Sequence, residues 1–331
     1  MRCSEQTRIL VSKATGVLVA PLNVATEPTI AVVARARVAA SNRAAAVYAT
    51  VLDYWALTKP EVNFLILITT FVAFHLASSS GAAPIALAVH TLVGTLLVAS
   101  GAATLNQFVE RSFDAKMRRT ARRPLAAGRL RPSNALWFGI SLSVAGVLYL
   151  ATINVLTALI GVLTLLSYLL VYTPLKRRTA LCTLVGAFPG AAPALIGWAA
   201  ARGRIDADAW VLYVIVFLWQ FPHFMAIAWM YRDDYSRAGY HVLPTQPLRD
   251  RFVTWQSLVC SLALVPVARF ASITGGLGVA YSAGAAVLSL ALLYFSWRFA
   301  FHRSSITARQ LLASSIFYLP LLFTLLMFEK K

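Results

Sequence analysis

Three polar residues that could bind a metal ion stand at the end of a long apolar run. Asn106, Glu110 and Asp114 recur every four residues, a spacing that keeps their side chains on one face of a helix. Two carboxylates at that spacing repel each other unless a positive charge lies between them. Mg²⁺ suits such a stripe, because it prefers carboxylate oxygens and shares its shell with water and substrate phosphates. The alternative is a solvated helix end that reaches the membrane interface.

A second acidic segment follows a later apolar run. Asp233 and Asp234 stand beside Arg232 and Arg237 in the stretch "YRDDYSRAGY". Two such helix ends could hold a metal diphosphate, with carboxylates on the metal and cations on the phosphate oxygens. Metal ions and guanidinium groups also stabilise the charge that develops on a departing diphosphate. At such a site an allylic diphosphate would ionise towards a carbocation, and its isoprenoid tail would lie among the membrane helices.

The composition is that of a polytopic membrane protein. The 331 residues are 59% hydrophobic and 13% charged, too apolar for a soluble domain of this length. The net charge of +18 does not indicate a nucleic-acid partner, because the basic residues stand between apolar runs and so favour an anionic membrane face. Cys3, Cys182 and Cys260 show no CxxC spacing, so neither a zinc site nor a disulfide framework is expected.

The predicted fold class is all-α, with nine transmembrane helices. A helix needs about 20 apolar residues to cross a bilayer. The segments that approach this length are 62–78, 84–107, 134–152, 155–173, 180–200, 209–230, 252–270, 275–297 and 308–328. The third and fourth meet at "LATINVLT", where Asn154 indicates a tight hairpin, although one long interrupted helix also fits the pattern.

The loops differ strongly in charge. With the amino terminus inside, all but five of the 30 Lys and Arg residues fall on that side, which places the amino terminus and the acidic motifs on the cytoplasmic or matrix face. Residues 1–50 are rich in Arg and poor in acids, like an organellar transit peptide, but a disordered extension or a misplaced start also fits. The compact loops favour the bacterial inner (plasma) membrane over the mitochondrial inner membrane.

Several segments carry a family resemblance. "NQFVERSFDAKMRRTARRPLAAGR" resembles the first aspartate-rich motif of the UbiA superfamily of intramembrane prenyltransferases. "LTKPEV", "YTPLKRRT", "GAFPGAAPALIGW", "WQFPHFMAIAW" and "DYSRAGYHVLP" are similar to the branch of that superfamily that farnesylates haem. The resemblance covers the chain from about residue 54 onward, so residues 51–331 are expected to form the prenyltransferase domain.

The resemblance implies a bundle of nine transmembrane helices around a central cavity. It also implies transfer of the farnesyl group of farnesyl diphosphate to a vinyl group of haem b, with addition of water, to give haem o and diphosphate. Haem o serves the biosynthesis of haem–copper oxidase cofactors, so a haem A synthase is a candidate partner. Mg²⁺ is the implied cofactor, and haem b, farnesyl diphosphate and the bilayer are the implied ligands.

The site residues follow from the same motifs. The resemblance gives the catalytic role of holding Mg²⁺ and diphosphate to Asn106, Glu110, Asp114 and Asp234, and Asp233 joins them as a metal ligand. The predicted diphosphate-binding residues are Arg118, Arg119, Arg123, Lys176 and Arg232. The predicted haem-binding residues are His223, His241 and Trp219, with His223 as a candidate iron ligand because neutral imidazole binds iron. A buried His223 bonded to a backbone carbonyl is the alternative.

Two departures from the superfamily pattern and two other functions stay open. Glu110 stands where many members have Asp, and "DDY" replaces two Asp residues separated by three. An aromatic prenyltransferase of the 4-hydroxybenzoate class is one alternative function. A transporter or non-catalytic haem carrier, with the acids as an ion site, is the other, although no inverted repeat is evident.

Overall fold

A computed structural model describes residues 43–78, 84–243, 248–274 and 278–329. The chain divides into two compact units, Met1–Ala49 and Thr50–Lys331. In the first unit residues 43–49 are helical, and the expectations for residues 1–42 lie outside the described residues. The second unit contains all of the motifs discussed above.

Nine helices within the described residues are long and apolar enough to cross a membrane. They are α1 Pro60–Ala77, α2 Ile85–Asp114, α3 Pro132–Ala151, α4 Val155–Leu175, α5 Cys182–Arg202, α6 Ala207–Met230, α7 Leu248–Thr274, α8 Val279–Phe301 and α9 Ser305–Glu329. The all-α fold class with nine spans is therefore confirmed, and the protein is a multi-pass membrane protein. The largest difference from prediction is in α2, which continues to Asp114 and so includes the whole acidic stripe.

The connection between α3 and α4 is the predicted tight hairpin. The Asn154 side chain accepts a hydrogen bond from the Thr157 backbone N–H at 2.8 Å and so caps the first turn of α4. Its amide also donates to the Ala199 carbonyl oxygen at 3.0 Å, which ties the hairpin to α5. One long interrupted helix is excluded, since Asn154 has extended backbone angles.

The helices pack as two halves that share α5 and α6. In the first half α1 packs on α2 and α5. In addition, α2 packs on α3, α3 packs on α4, and α4 packs on α5. In the second half α7 and α9 pack on α6, and α8 packs on both. α5 and α6 are the most buried of the described spans. Because the chain crosses the bundle repeatedly, the start of each odd-numbered helix and the end of each even-numbered helix lie at the same end.

A close approach of two backbones holds α1 against α5. A Cβ atom added at Gly197 in α5 would meet the carbonyl oxygen of Thr70 and the backbone nitrogen of Phe74 in α1. Small residues allow such approaches between membrane helices. The backbone, unlike a flexible side chain, cannot move aside without displacing a helix.

We therefore expect Gly197→Ala to lower the free energy of unfolding by about 1–3 kcal/mol, as overpacking does elsewhere. Thermal unfolding in detergent measures the change. Gly161→Ala in α4 is the matched control, because a Cβ there would contact only the side chains of Leu150, at 3.0 Å, and Val98. Equal loss of stability in the two variants would contradict the backbone explanation.

Candidate active site

The acidic stripe is buried at the last turns of α2. Asn106, Glu110 and Asp114 are 1%, 5% and 3% exposed, so they are not the solvated helix end that was the alternative prediction. The helix geometry directs all three side chains to one face, and α2 ends at Asp114. Buried carboxylates are costly unless positive groups pair with them, which makes their partners the main feature of this end of the bundle.

Each carboxylate of the stripe has its own cation from another segment. Lys176 Nζ, directly after α4, lies 2.8 Å from Glu110 Oε1. Arg123 Nη1, in the connection between α2 and α3, lies 2.7 Å from Asp114 Oδ2. Burial alone would lower the pKa of Lys176, but the adjacent Tyr172 and Glu110 raise that pKa well above its ordinary value. Lys176 therefore stays charged.

Lys59, the residue before α1, is a third cation at this site. Its Nζ donates to Asn106 Oδ1 at 3.3 Å, and the Asn106 amide donates to Thr173 Oγ1 at 3.2 Å. Burial, followed by repulsion from Arg123 and Lys176, lowers the pKa of Lys59 to about 7. An additional anionic ligand would offset this repulsion and favour the charged ammonium of Lys59.

The backbone of Lys59 is strained. Its φ of 52° makes it the one non-glycine residue with positive φ in the described part of the chain, and a residue before proline is further restricted. Strained backbone persists where its surroundings hold it, and it is concentrated at functional sites. Lys59 was not among the predicted site residues, although its place in "LTKPEV", directly before Pro60, was a usable signal.

The second acidic segment joins this site through Asp234. Its Oδ2 accepts from the backbone N–H of Arg119 at 3.3 Å, and its Oδ1 accepts from Arg237 Nη2. Asp234 thus connects the short helix Arg232–Ala238 to the α2–α3 connection. Asp233, by contrast, has a side chain that is 82% exposed.

The segment after the short helix closes over the end of α4. The His241 backbone N–H donates to the Lys176 carbonyl oxygen at 2.8 Å, while the His241 residue itself is exposed. Tyr240 is buried and its ring lies 5.7 Å from that of Phe113 in α2. Burial, and then the charge of Glu110, raise the pKa of Tyr240. Tyr240 therefore remains a neutral phenol beside the acidic stripe.

The predicted phosphate-binding residues are placed differently from one another. Arg123 and Lys176 contact the acidic stripe directly. Arg119 is held through its backbone, and its guanidinium lies 5.1 Å from the ring centre of Tyr231. Arg118 is exposed. Arg232 bends back to the end of α6, where it donates to the Trp229 carbonyl oxygen at 3.0 Å.

The donor set fits Mg²⁺ as a partial shell. Among the described residues, no three His, Cys, Asp or Glu side chains converge into a ready-made metal site, so the five predicted ligands do not form one shell. Asp233 faces outward, and Asp234 pairs with Arg237. Mg²⁺, however, is commonly held by one or two carboxylates with water and substrate phosphates. Glu110 and Asp114, with the Asn106 amide oxygen, provide such a set.

The predicted haem-binding residues do not form one cluster. His223 lies within α6, about 10 Å along the helix from its end at Met230. Its ring stacks on Trp219 with 4.9 Å between ring centres, and its Nδ1 lies 2.9 Å from Ser315 Oγ in α9. The alternative partner, a backbone carbonyl, is therefore wrong. His241 belongs to the segment at the acidic end.

The chain that forms this nine-helix bundle, with buried acids and basic residues at one end, also matches a protein family by sequence. The UbiA prenyltransferase family matches residues 66–322, and the chain belongs to it.

Among its relatives, the protein of Solibacter usitatus named "Protoheme IX farnesyltransferase" is 44% identical over 287 residues, which cover 84% of this chain and 98% of that protein. Among solved structures, one from a study of digeranylgeranylglyceryl phosphate synthase has a TM-score of 0.69 and 14% identity, and covers 85% of this chain and 98% of its own. A UbiA homolog from Archaeoglobus fulgidus, bound to GPP and Mg²⁺, has a TM-score of 0.59 and 14% identity. The match covers 83% of this chain and 99% of the homolog. These two structures support the fold.

Proposed function

We propose that the chain transfers the farnesyl group of farnesyl diphosphate to a vinyl group of haem b, with addition of water, and releases haem o and diphosphate. The observation that carries the proposal is the cluster of two buried carboxylates and three partly buried basic residues at one end of a membrane bundle. The family match and the Solibacter usitatus relative named for this activity support it. An aromatic prenyltransferase of the 4-hydroxybenzoate class is not favoured.

The proposed diphosphate site is formed by Lys59, Arg123 and Lys176. Each ammonium or guanidinium group lies against the acidic stripe, and each can turn toward a phosphate oxygen. Glu110, Asp114 and Asn106 would hold Mg²⁺, with Asp234 holding the two connections together from the second motif. When bound, Mg²⁺ supplies charge neutralisation to the departing diphosphate.

The proposed reaction uses charge stabilisation and positioning. The allylic C–O bond breaks, and its electron pair leaves with the diphosphate, whose growing charge the three cations stabilise. The vinyl group of haem then attacks the allylic carbon. Water adds to the resulting carbocation next to the porphyrin ring and loses a proton. The buried site restricts water until this last step.

The proposed acceptor contacts are the rings of Trp219 and His223 in α6. These two rings stack on each other within the membrane span, and a neutral imidazole there could bind the iron of a haem, while His241 would stand at the acidic end. We further propose that residues 51–331 form the catalytic domain and that the acidic end faces the cytoplasm of a bacterial inner membrane. A haem A synthase that consumes haem o is the proposed partner.

Pigment analysis tests the proposed function. Cells that lack their own haem farnesylation and express this chain are expected to accumulate a haem with the mass of haem b plus a farnesyl group and one water. Liquid chromatography with mass spectrometry of extracted haem measures it. A prenylated 4-hydroxybenzoate without any haem o would support the aromatic alternative. Haem b alone, from a correctly inserted chain, would indicate a carrier and contradict the proposal.

A further inference from the structure

The hydrogen bonds around Ser315 determine which nitrogen of His223 carries the proton. Ser315 Oγ donates to the Leu312 carbonyl oxygen at 2.7 Å, and a hydroxyl has only one hydrogen to give. The same oxygen lies 2.9 Å from His223 Nδ1. It must therefore accept from this nitrogen. The hydrogen-bond network thus assigns the Nδ1–H tautomer, in which Nε2 carries the free lone pair.

The same serine also holds the neighbouring ring. Trp219 Nε1 donates to the Ser315 carbonyl oxygen at 2.7 Å, and the planes of Trp219 and His223 are inclined by only 26°. Ser315 is fully buried, whereas His223 is partly exposed. Since the Nδ1 edge of the imidazole faces the buried serine, Nε2 lies on the edge of the ring that points away from Ser315.

The surroundings of His223 favour an uncharged ring. Within the described part of the chain, its hydrogen-bond and ring contacts are with the Ser315 hydroxyl and the rings of Trp219 and Phe224, none of which carries a charge. Neutral imidazole with a free Nε2 is the form that binds iron. A hydrogen bond from the other ring nitrogen orients such a ligand and makes it more basic.

We propose that Ser315 is a positioning residue that holds His223 as the Nδ1–H tautomer, so that Nε2 binds the iron of the haem acceptor. The proposal rests on the proposed function, since it assumes that haem is the ligand of this chain. It adds a residue from α9 to the acceptor site. It also assigns the iron to one atom, Nε2 of His223.

Haem binding by the purified full-length chain tests this assignment. In the ferrous complex with haem b, resonance Raman spectroscopy is expected to show an iron–histidine stretch, which His223→Gly removes and added imidazole restores. Ser315→Ala should shift this band to lower frequency and weaken haem affinity about tenfold, as losses of such supporting hydrogen bonds do. Ser315→Thr keeps the hydroxyl and should therefore show the band frequency and the haem affinity of the wild type.

A double-variant cycle separates this role from a purely structural one. If Ser315 acts through His223, adding Ser315→Ala to His223→Gly should leave haem affinity unchanged. Ser143→Ala is the matched control, because Ser143 is also buried and donates to the carbonyl four residues earlier. An equal loss of affinity from Ser315→Ala in both backgrounds, or an unshifted iron–histidine band, would overturn the proposal.

Failure of the His223 Nε2 assignment can be distinguished from failure of the proposed function. A chain that makes haem o but keeps its iron–histidine band in His223→Gly contradicts only the assignment of Nε2. A chain that shows the band and its predicted shifts but makes no haem o supports the assignment and contradicts the transferase activity.

Discussion

Asp114→Ala is expected to lower the turnover of farnesyl transfer by about 10²–10³-fold, the loss seen when one group that stabilises transition-state charge is removed. The Asp114 carboxylate is buried and lies 2.7 Å from Arg123. Its removal takes away a proposed Mg²⁺ ligand. It also leaves the Arg123 guanidinium without the partner that holds it toward the diphosphate.

The measurement is haem o formation at saturating haem b and farnesyl diphosphate over a range of Mg²⁺ concentrations. Glu61→Ala is the control, because Glu61 is an exposed acid at the start of α1, at the same end of the bundle. It should retain wild-type turnover. If Asp114→Ala inserts, remains monodisperse in detergent and still turns over within about twofold of wild type, the proposed metal site is wrong.

The spans were predictable because hydropathy and length determine them, but the extent of α2 was not. Its predicted end at residue 107 is where the apolar run stops, whereas the helix continues to Asp114. Polar residues such as Glu110 can be buried on a helix when a partner neutralises them. That partner, Lys176, is 66 residues away in sequence, and a local pattern cannot show such a contact.

Contacts between residues that are distant in sequence also explain the other differences between the predicted and the observed site. The residue types of the acidic stripe indicated a metal diphosphate, but the adjacent pair Asp233 and Asp234 could not be separated by sequence. Neighbouring residues on a helix point about 100° apart, so the packing of the short helix decides which one is buried. Lys59 and Ser315 were missed because their roles depend on backbone strain and on a contact between α6 and α9.

Lys176→Met is expected to raise the KM for farnesyl diphosphate about 30-fold or more, equivalent to at least about 2 kcal/mol of binding free energy. The side chain of Lys176 is 13% exposed, and its ammonium lies 2.8 Å from Glu110. The substitution removes a cation from the proposed diphosphate site. It also leaves a buried carboxylate without its partner, which by itself lowers stability by about 3–5 kcal/mol.

The weaker binding of farnesyl diphosphate and the loss of stability can be separated, because only the first depends on the diphosphate. Lys176→Met combined with Glu110→Gln removes both charges, and replacement of a whole buried ion pair is often neutral for stability. The double variant should therefore recover the thermal unfolding midpoint of the wild type. Because Glu110 is itself a proposed Mg²⁺ ligand, activity is compared with Glu110→Gln alone, above which the KM of the double variant for farnesyl diphosphate should stay raised. Arg204→Met is the control, since Arg204 is 71% exposed in its pair with Asp206 and exposed pairs contribute little.

A double variant with the stability of the wild type and the KM of Glu110→Gln alone would contradict a diphosphate role for Lys176. That outcome would mean that the ammonium serves only to neutralise Glu110. The geometry favours the opposite result, because Lys59 and Arg123 already crowd the same site with positive charge. Lys176 and Arg123 each pair with one carboxylate, so Lys59, which contacts the neutral Asn106 amide, is a basic group beyond what the two carboxylates need. A diphosphate, with several negative charges, would pair with all three basic groups.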